Sequence, residues 1–457
     1  MILIDAILAL SLGAIFIAII AGSSLGSKQI FERAHARDKL IDLYESEKAA
    51  FDGLMPYQAR SIASTSVSAI WYGNDRIETD IDVVATDTMA AAPYEQKLAF
   101  KAVRMYPYAD LKDAAGTPLC SVDFLKGHSI SNASIIPIQL PVNQSVPLTD
   151  LQMRDGIAYV SADSSVASDP DLFVFDAHDP AQTRLLSSLN TGPGISAIAL
   201  AGQRIYAAAD STAAQLHIIR LDSLASPILE KKFKLPLPYA TATSPVSSSI
   251  FYESGLIYLG TEKWDGDEFD ILDISNPLVP NKVGEADIGS KVNSVYVRND
   301  AAYIASANQN QLELMDVHDP AHIWLMNSFS PSGWQRQEGE AIDLFEDTLS
   351  FGRTSGGFDI PADREAFTWA TTSSANLANP FSMNDPGGVY GIIADRSHIF
   401  LGTRQAGKEF KIFDRSLSST SSSTFPLQAS MQSMTCDGDS IYVLGRTSPV
   451  MYRITFK

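Results

Sequence analysis

Ser254-Gly-Leu-Ile-Tyr-Leu-Gly260, followed by Leu272-Asp273-Ile-Ser-Asn-Pro277, is the stretch that decides the fold. A short apolar and aromatic run bounded by turn residues reads as a buried strand. The next apolar run ends in Asp and reaches a proline. Proline cannot donate to a ladder, so Pro277 ends a third strand at the turn into an outer edge strand. The same signature recurs as Ile157-Ala-Tyr-Val, Ile205-Tyr-Ala, Ile257-Tyr-Leu-Gly, Ala302-Tyr-Ile-Ala, Leu349-Ser-Phe-Gly, Ile399-Phe-Leu-Gly and Ile441-Tyr-Val-Leu-Gly. The copies return every roughly 40 to 50 residues, the spacing of propeller blades. Each follows an alternating strand such as Val292-Asn-Ser-Val-Tyr-Val, and the Asp-to-Pro ending repeats at Asp176/Pro180 and Asp316/Pro320.

These residues predict an all-β, seven-bladed propeller over 134–457. The last copy leaves room for only three strands before Lys457, so Ile135 to Leu140 is the expected donor of the missing strand, closing the ring and removing an open edge. Closure of that kind lays the linker beside the strand holding Cys436, with Cys120 slightly upstream, and a disulfide between these two cysteines is the candidate pairing. The repeat resembles the bacterial propeller repeat named for its Leu-Val-Ile-Val-Pro consensus, best over Ser254 to Gly284. Blade five departs from it, because Phe358-Asp-Ile-Pro361 lacks the Asp-to-Pro spacing.

The other end of the chain carries a different signal. An apolar run opens at Met1-Ile-Leu-Ile-Asp5 and reaches Gly22, and its only charged side chain is Asp5. A buried carboxylate at membrane depth costs roughly 2.5 to 3.5 kcal/mol on insertion scales and so calls for a cationic mate. The amino terminus of a neighbouring subunit supplies one. This start resembles the mature end of type IV pilins and pseudopilins, with Asp5 where that family has Glu. The resemblance implies a leader removed before an N-methylated Met1, insertion in the cytoplasmic membrane before assembly, and a helical homopolymer afterwards. The helical spacing continues to Leu54, so residues 1–54 are expected as one long α-helix of about 75 to 80 Å, with a weak point at Gly22-Ser-Ser-Leu-Gly26. Residues 55–133 are expected as a small α+β pilin-like module and linker, with strands around Ile77 to Val83 and Leu98 to Ala102.

The chain has 457 residues, 45% hydrophobic, with a net charge of -19. An anionic head repels nucleic acid and anionic lipid, which excludes capture of DNA by a basic groove. The sequons at Asn132 and Asn143 are candidate glycosylation sites. The histidines are scattered, with no nucleophile elbow, phosphate-binding loop or metal-ligand spacing, so neither cofactor nor metal is expected, and no catalysis. One pattern exceeds what the repeat needs. Just beyond the aromatic positions come Asp163, Asp210, Glu262, Arg404 and Arg446, with uncharged Ala307 in blade four and Arg353 slightly early in blade five. On equivalent positions they give one propeller face an acidic arc opposite a basic arc, suited to a neighbouring protein or a surface glycan.

The expected function is therefore a pilus-like filament subunit on a bacterial cell surface, which polymerises through its N-terminal segment and displays a propeller for adhesion. The alternative is a membrane-anchored propeller enzyme or ligand-binding protein using the central channel.

Overall fold

The computed structural model describes strand positions within 65–103, residues 124–125, and 130–456 apart from short segments. Asp123–Lys457 forms one compact unit, and Met1–Val122 another.

The larger unit is a ring of seven antiparallel four-stranded sheets. Blades one to six occupy 148–189, 195–233, 247–286, 292–329, 339–383 and 389–425, each in the spatial order of the chain. Blade seven takes its first three strands from Met431–Asp437, Ser440–Gly445 and Val450–Phe456. Its fourth is Ala133–Gln139, paired antiparallel with Val450 opposite Gln139 and Tyr452 opposite Pro137. The expected closing strand is thus in place. Pro137 is tolerated because it lies on the outermost strand, where one face of the ladder has no partner.

The second strand of each blade is buried along its length or all but its first residue, which explains the unbroken apolar runs of the repeat. The apolar clusters lie between consecutive blades: Phe173 and Phe175 pack on Tyr442 and Met451, and Leu216 and Ile218 on Ile257 and Leu272. The repeat's terminal glycine has a packing cause. A Cβ on Gly402 would fall on Met431 Sδ, and one on Gly260 2.6 Å from Val292 Cγ1, so the first inner-strand residue of the next blade fills the space. The Asp that ends the third strand caps its own turn. Asp273 Oδ1 accepts from Ser275 N at 2.8 Å and Asp316 Oδ1 from His318 N at 2.9 Å. Pro180 and Pro320 then begin three-residue 3-10 turns capped by Asp179 and Asp319.

The fold class expected for the first 133 residues is corrected. The architecture is all-β, without a helix of seven residues or more among the described residues, and none is long and apolar enough to cross a membrane. In place of an α+β module, Thr65–Tyr72, Asp75–Val84 and Lys97–Val103 form an antiparallel three-stranded sheet. The alternation around Ile77 to Val83 and Leu98 to Ala102 falls within its second and third strands, where a period of two gives each strand two distinct faces. Residues 1–64 lie outside the described residues, and with them Met1, Asp5, Gly22 and Gly26.

Candidate functional site

Every blade shares one irregularity. The second residue of each inner strand has no partner on the neighbouring strand, so the ladder skips from Leu148 to Asp150, from Ser247 to Ser249, from Gly339 to Ala341 and from Met431 to Ser433. A bulge of this kind re-aims its side chain. The bulged residues are Thr149, Ser196, Ser248, Asn293, Glu340, Tyr390 and Gln432, and all sit at the same level of the inner ring, where the inner strands start.

Most of these side chains tie one blade to the next. Thr149 Oγ1 donates to the Ile195 carbonyl, Ser248 Oγ to Val292 O at 2.6 Å and Asn293 Nδ2 to Gly339 O at 2.8 Å. Gln432 Nε2 reaches Thr149 O at 3.3 Å across the closure. In blade six, Arg404 takes over the role: its guanidinium lies 3.4 Å from the centre of the Tyr390 ring and its Nε donates to Met431 O at 3.2 Å. Glu340 is the exception. An ionised carboxylate cannot donate to a carbonyl, and burial pushes its pKa up to about 7, against the opposing pull of Arg404 and Lys291.

A further buried set precedes the third strands. Asp171 accepts from Thr191 N at 2.9 Å, Gln215 from Leu235 N at 2.9 Å, Glu268 from Ile288 N at 3.0 Å and Glu409 from Leu427 N at 2.8 Å. These groups fix the loops leading into the next inner strands, and so fix the level of the whole face.

Around the inner ring lie the charged residues anticipated from the repeat. Asp163 N donates to Pro147 O, Asp210 N to Gly194 O, Glu262 N to Val246 O, Ala307 N to Lys291 O and Arg446 N to Ser430 O. Each bond joins the residue after a second strand to the residue before an inner strand, so these positions are equivalent. The fifth member is Thr354, whose N donates to Glu338 O. Arg353 is elsewhere: it is fully buried, its Nε donates to the Arg364 carbonyl and its guanidinium stands 5.7 Å from the Phe367 ring centre. It belongs to the interior between blades.

Within each arc the like charges act on one another. Burial raises the Asp210 pKa, and the neighbouring Asp163 and Glu262 charges raise it further. Burial lowers the Arg404 pKa, and Arg446 acts in the same direction. Glu262 is paired with Lys291 at 2.8 Å, whereas Asp163, Asp210 and Arg446 make no side-chain ion pair among the described residues. Segments 165–168, 332–336 and 357–363 fall outside those residues.

The other expected site residues are placed as follows. Asn132 and Asn143 are exposed, a placement that leaves their side chains accessible. Cys436 is disulfide-bonded, and Cys120 lies outside the described residues. No group of three His, Cys, Asp or Glu side chains is placed to hold a metal among the described residues. Reasoning from sequence missed the bulged ring, although its signal was present: the second inner-strand residue is polar or a tyrosine in every copy.

Fold and face together define a seven-bladed β-propeller with LVIVD repeats. The repeat family described by that name matches residues 264–287 and 289–330; its consensus ends in Asp, the turn-capping residue of the third strand, rather than in the Pro anticipated above. No curated protein matches the sequence. Among solved structures, a catalytically inactive virginiamycin B lyase from Staphylococcus aureus, crystallised with quinupristin, is similar at 15% identity over 71% of this chain and 100% of that one, with a TM-score of 0.53. Raptor from Chaetomium thermophilum is similar at 12% identity over 78% of this chain and 31% of that chain, also with a TM-score of 0.53. Likeness at these identities reports the shared fold.

Proposed function

We propose that the chain is a surface interaction protein: a propeller displayed for contact, held by its apolar N-terminal segment in a filament of like subunits. The observation that carries the contact half is the polarised face, with Asp163, Asp210 and Glu262 on blades one to three and Arg404 and Arg446 on blades six and seven. Charges of opposite sign on separate arcs steer a partner and fix its orientation. The assembly half is carried by sequence, through the lone Asp5 in the apolar run to Gly22. Replacing Asp5 with alanine is expected to abolish polymerisation, scored by electron microscopy of sheared surface material, and replacing Arg446 with glutamate to reduce surface attachment while filaments persist. Normal filaments from the Asp5→Ala chain sink the assembly half; attachment indifferent to Arg446 sinks the other.

A second reading, a ligand-binding channel mouth, is favoured by Glu340. Its partly buried carboxyl, with a pKa near 7, faces the field of Arg404, Arg446 and Lys291. Glu340→Gln is the variant that separates the two readings, since it alters the mouth and leaves the outer arcs intact.

A further inference from the structure

The chain carries two Asn-X-Ser sequons, Asn132-Ala-Ser134 and Asn143-Gln-Ser145, and their asparagines flank the strand that closes the ring, Ala133–Gln139. The first triplet lies wholly within the described residues. Asn132 is exposed immediately before the strand, and Ser134 is half-buried within it, opposite Thr455. Residues 144 and 145 of the second triplet fall outside the described residues.

What sets the first triplet apart is when its strand finds a partner. Blades one to six are each built from strands consecutive in the chain, so each is complete once its own residues have been made. Ala133–Gln139 pairs only with Val450–Phe456, at the far end of the chain. About 320 residues follow Ser134 before that partner is complete, and at about 5 to 20 residues per second the triplet stays out of the ladder for on the order of 15 to 65 s. A transferase that takes an asparagine amide has to wrap the whole triplet and hold the hydroxyl of its third residue. In the open chain Ser134 is free to be held; in the closed ring it is fixed opposite Thr455.

Cys436 is disulfide-bonded, and disulfides persist in oxidising compartments, where such transfers are made. The finished ring also has room for the product. Beyond the exposed Asn132, Ile136 is 39% exposed and Pro137 is exposed, so the outer side of the strand is open. Open edges invite pairing with other chains unless they are covered, and a sugar chain at Asn132 covers the start of this one.

We propose that Asn132 carries an N-linked oligosaccharide, added before the ring closes. The donor is a sugar chain joined through its anomeric carbon to a lipid diphosphate. The Asn132 amide Nδ2 attacks that carbon, and the new C–N bond replaces the C–O bond to phosphate. The lipid diphosphate leaves with the bonding pair, and the amide proton passes to a base of the transferase.

The test uses the full chain purified from its native cells, with peptide fragmentation in a mass spectrometer to locate added sugar. Asn132 is expected to carry it, and Ser134→Ala to lower occupancy about 10-fold although the asparagine remains. Ser134→Thr keeps the hydroxyl and is expected to keep the sugar. This pair separates transfer at a recognised triplet from chemical damage to an exposed asparagine, which Ser134→Ala leaves unchanged. The timing is read with chain made in a host that lacks the transferase and then incubated with native membranes. The folded full chain is expected to accept sugar about 10-fold more slowly than a chain ending at residue 447, whose triplet has no ladder partner. Native material bare at Asn132, or an added mass that survives Ser134→Ala, overturns the site. Equal rates for the folded and shortened chains overturn the order of events.

Discussion

Asp150 ties three blades together with one carboxylate, and removing it is the sharpest perturbation the ring offers. Its Oδ1 accepts from Leu151 N at 2.8 Å in blade one and from Ser433 Oγ at 2.7 Å in blade seven; its Oδ2 accepts from Ile198 N at 2.9 Å in blade two. Hydrogen bonds to a charged acceptor contribute about 1.5 to 3 kcal/mol each. Burial raises the Asp150 pKa, so part of that gain is offset by desolvation, and a net loss of about 3 kcal/mol is expected for Asp150→Ala. For a unit running Asp123–Lys457, an unfolding entropy on the order of 0.7 kcal/mol/K converts this into a melting point about 4 °C lower. The pH dependence has a definite sign. A carboxyl whose folded pKa is raised binds its proton more tightly in the folded state, so its contribution is fully present below the unfolded value and declines as pH rises through the folded one. The penalty of Asp150→Ala should therefore be larger in acid, below the ordinary carboxyl value of about 3.9, and smaller at neutral pH, as the raised folded value requires. Urea unfolding followed by tryptophan fluorescence at both settings measures it. A loss under about 0.5 kcal/mol, or a penalty that grows with pH, refutes the reasoning.

Other positions give independent checks. His217 is fully buried with neither ring nitrogen hydrogen-bonded, and burial pushes its pKa down to about 4. Because the folded state disfavours the proton, stability is lost as pH falls from about 6.5 toward 4, by on the order of 3 kcal/mol; His217→Leu should flatten that slope in pH-dependent denaturation curves. Ile138 is 1% exposed on the closing strand, so Ile138→Ala should cost about 2 to 5 kcal/mol and make the first protease cuts fall near the closure. Arg404→Ala removes the bond to Met431 O and the stack on Tyr390 and should lower stability by about 1 to 3 kcal/mol, whereas Arg446→Ala should stay within about 0.5 kcal/mol in the same melts.

The repeated signature was legible because it reports local physics: a buried second strand needs an unbroken apolar run, and a strand that ends at a capped turn needs Asp and then Pro. Those needs recur in Ile257-Tyr-Leu-Gly260 and Leu272-Asp273 to Pro277, and they fixed blade number, blade order and the donor strand at Ile135 to Leu140. Fixed spacing also put Asp163, Asp210, Glu262 and Arg446 at equivalent positions, since equivalent places in equivalent blades have equivalent surroundings, but it misplaced Arg353, which is buried between blades. The error over 55–133 arose where the signal was weak: short alternating runs were assigned to a mixed module through resemblance, and the sheet formed by Thr65–Tyr72, Asp75–Val84 and Lys97–Val103 satisfies its backbone with strands alone.

What lay beyond the sequence depends on contacts between blades. Arg353 and Arg404 look alike in the repeat, yet the interior around Phe367 buries the first while the ring of Tyr390 holds the second at the face. Nothing near Asp150 in the chain foretells Ser433 as its partner, because only closure of the ring brings residues 283 apart within 2.7 Å. Within the propeller, sequence by itself determined the blades, their count and the charge carried by each, all of which follow from periodicity and turn chemistry. Tertiary structure alone decided which polar groups bind across blades and which are left unpaired on the face, because those outcomes are set by distances that exist only once the seventh blade meets the first.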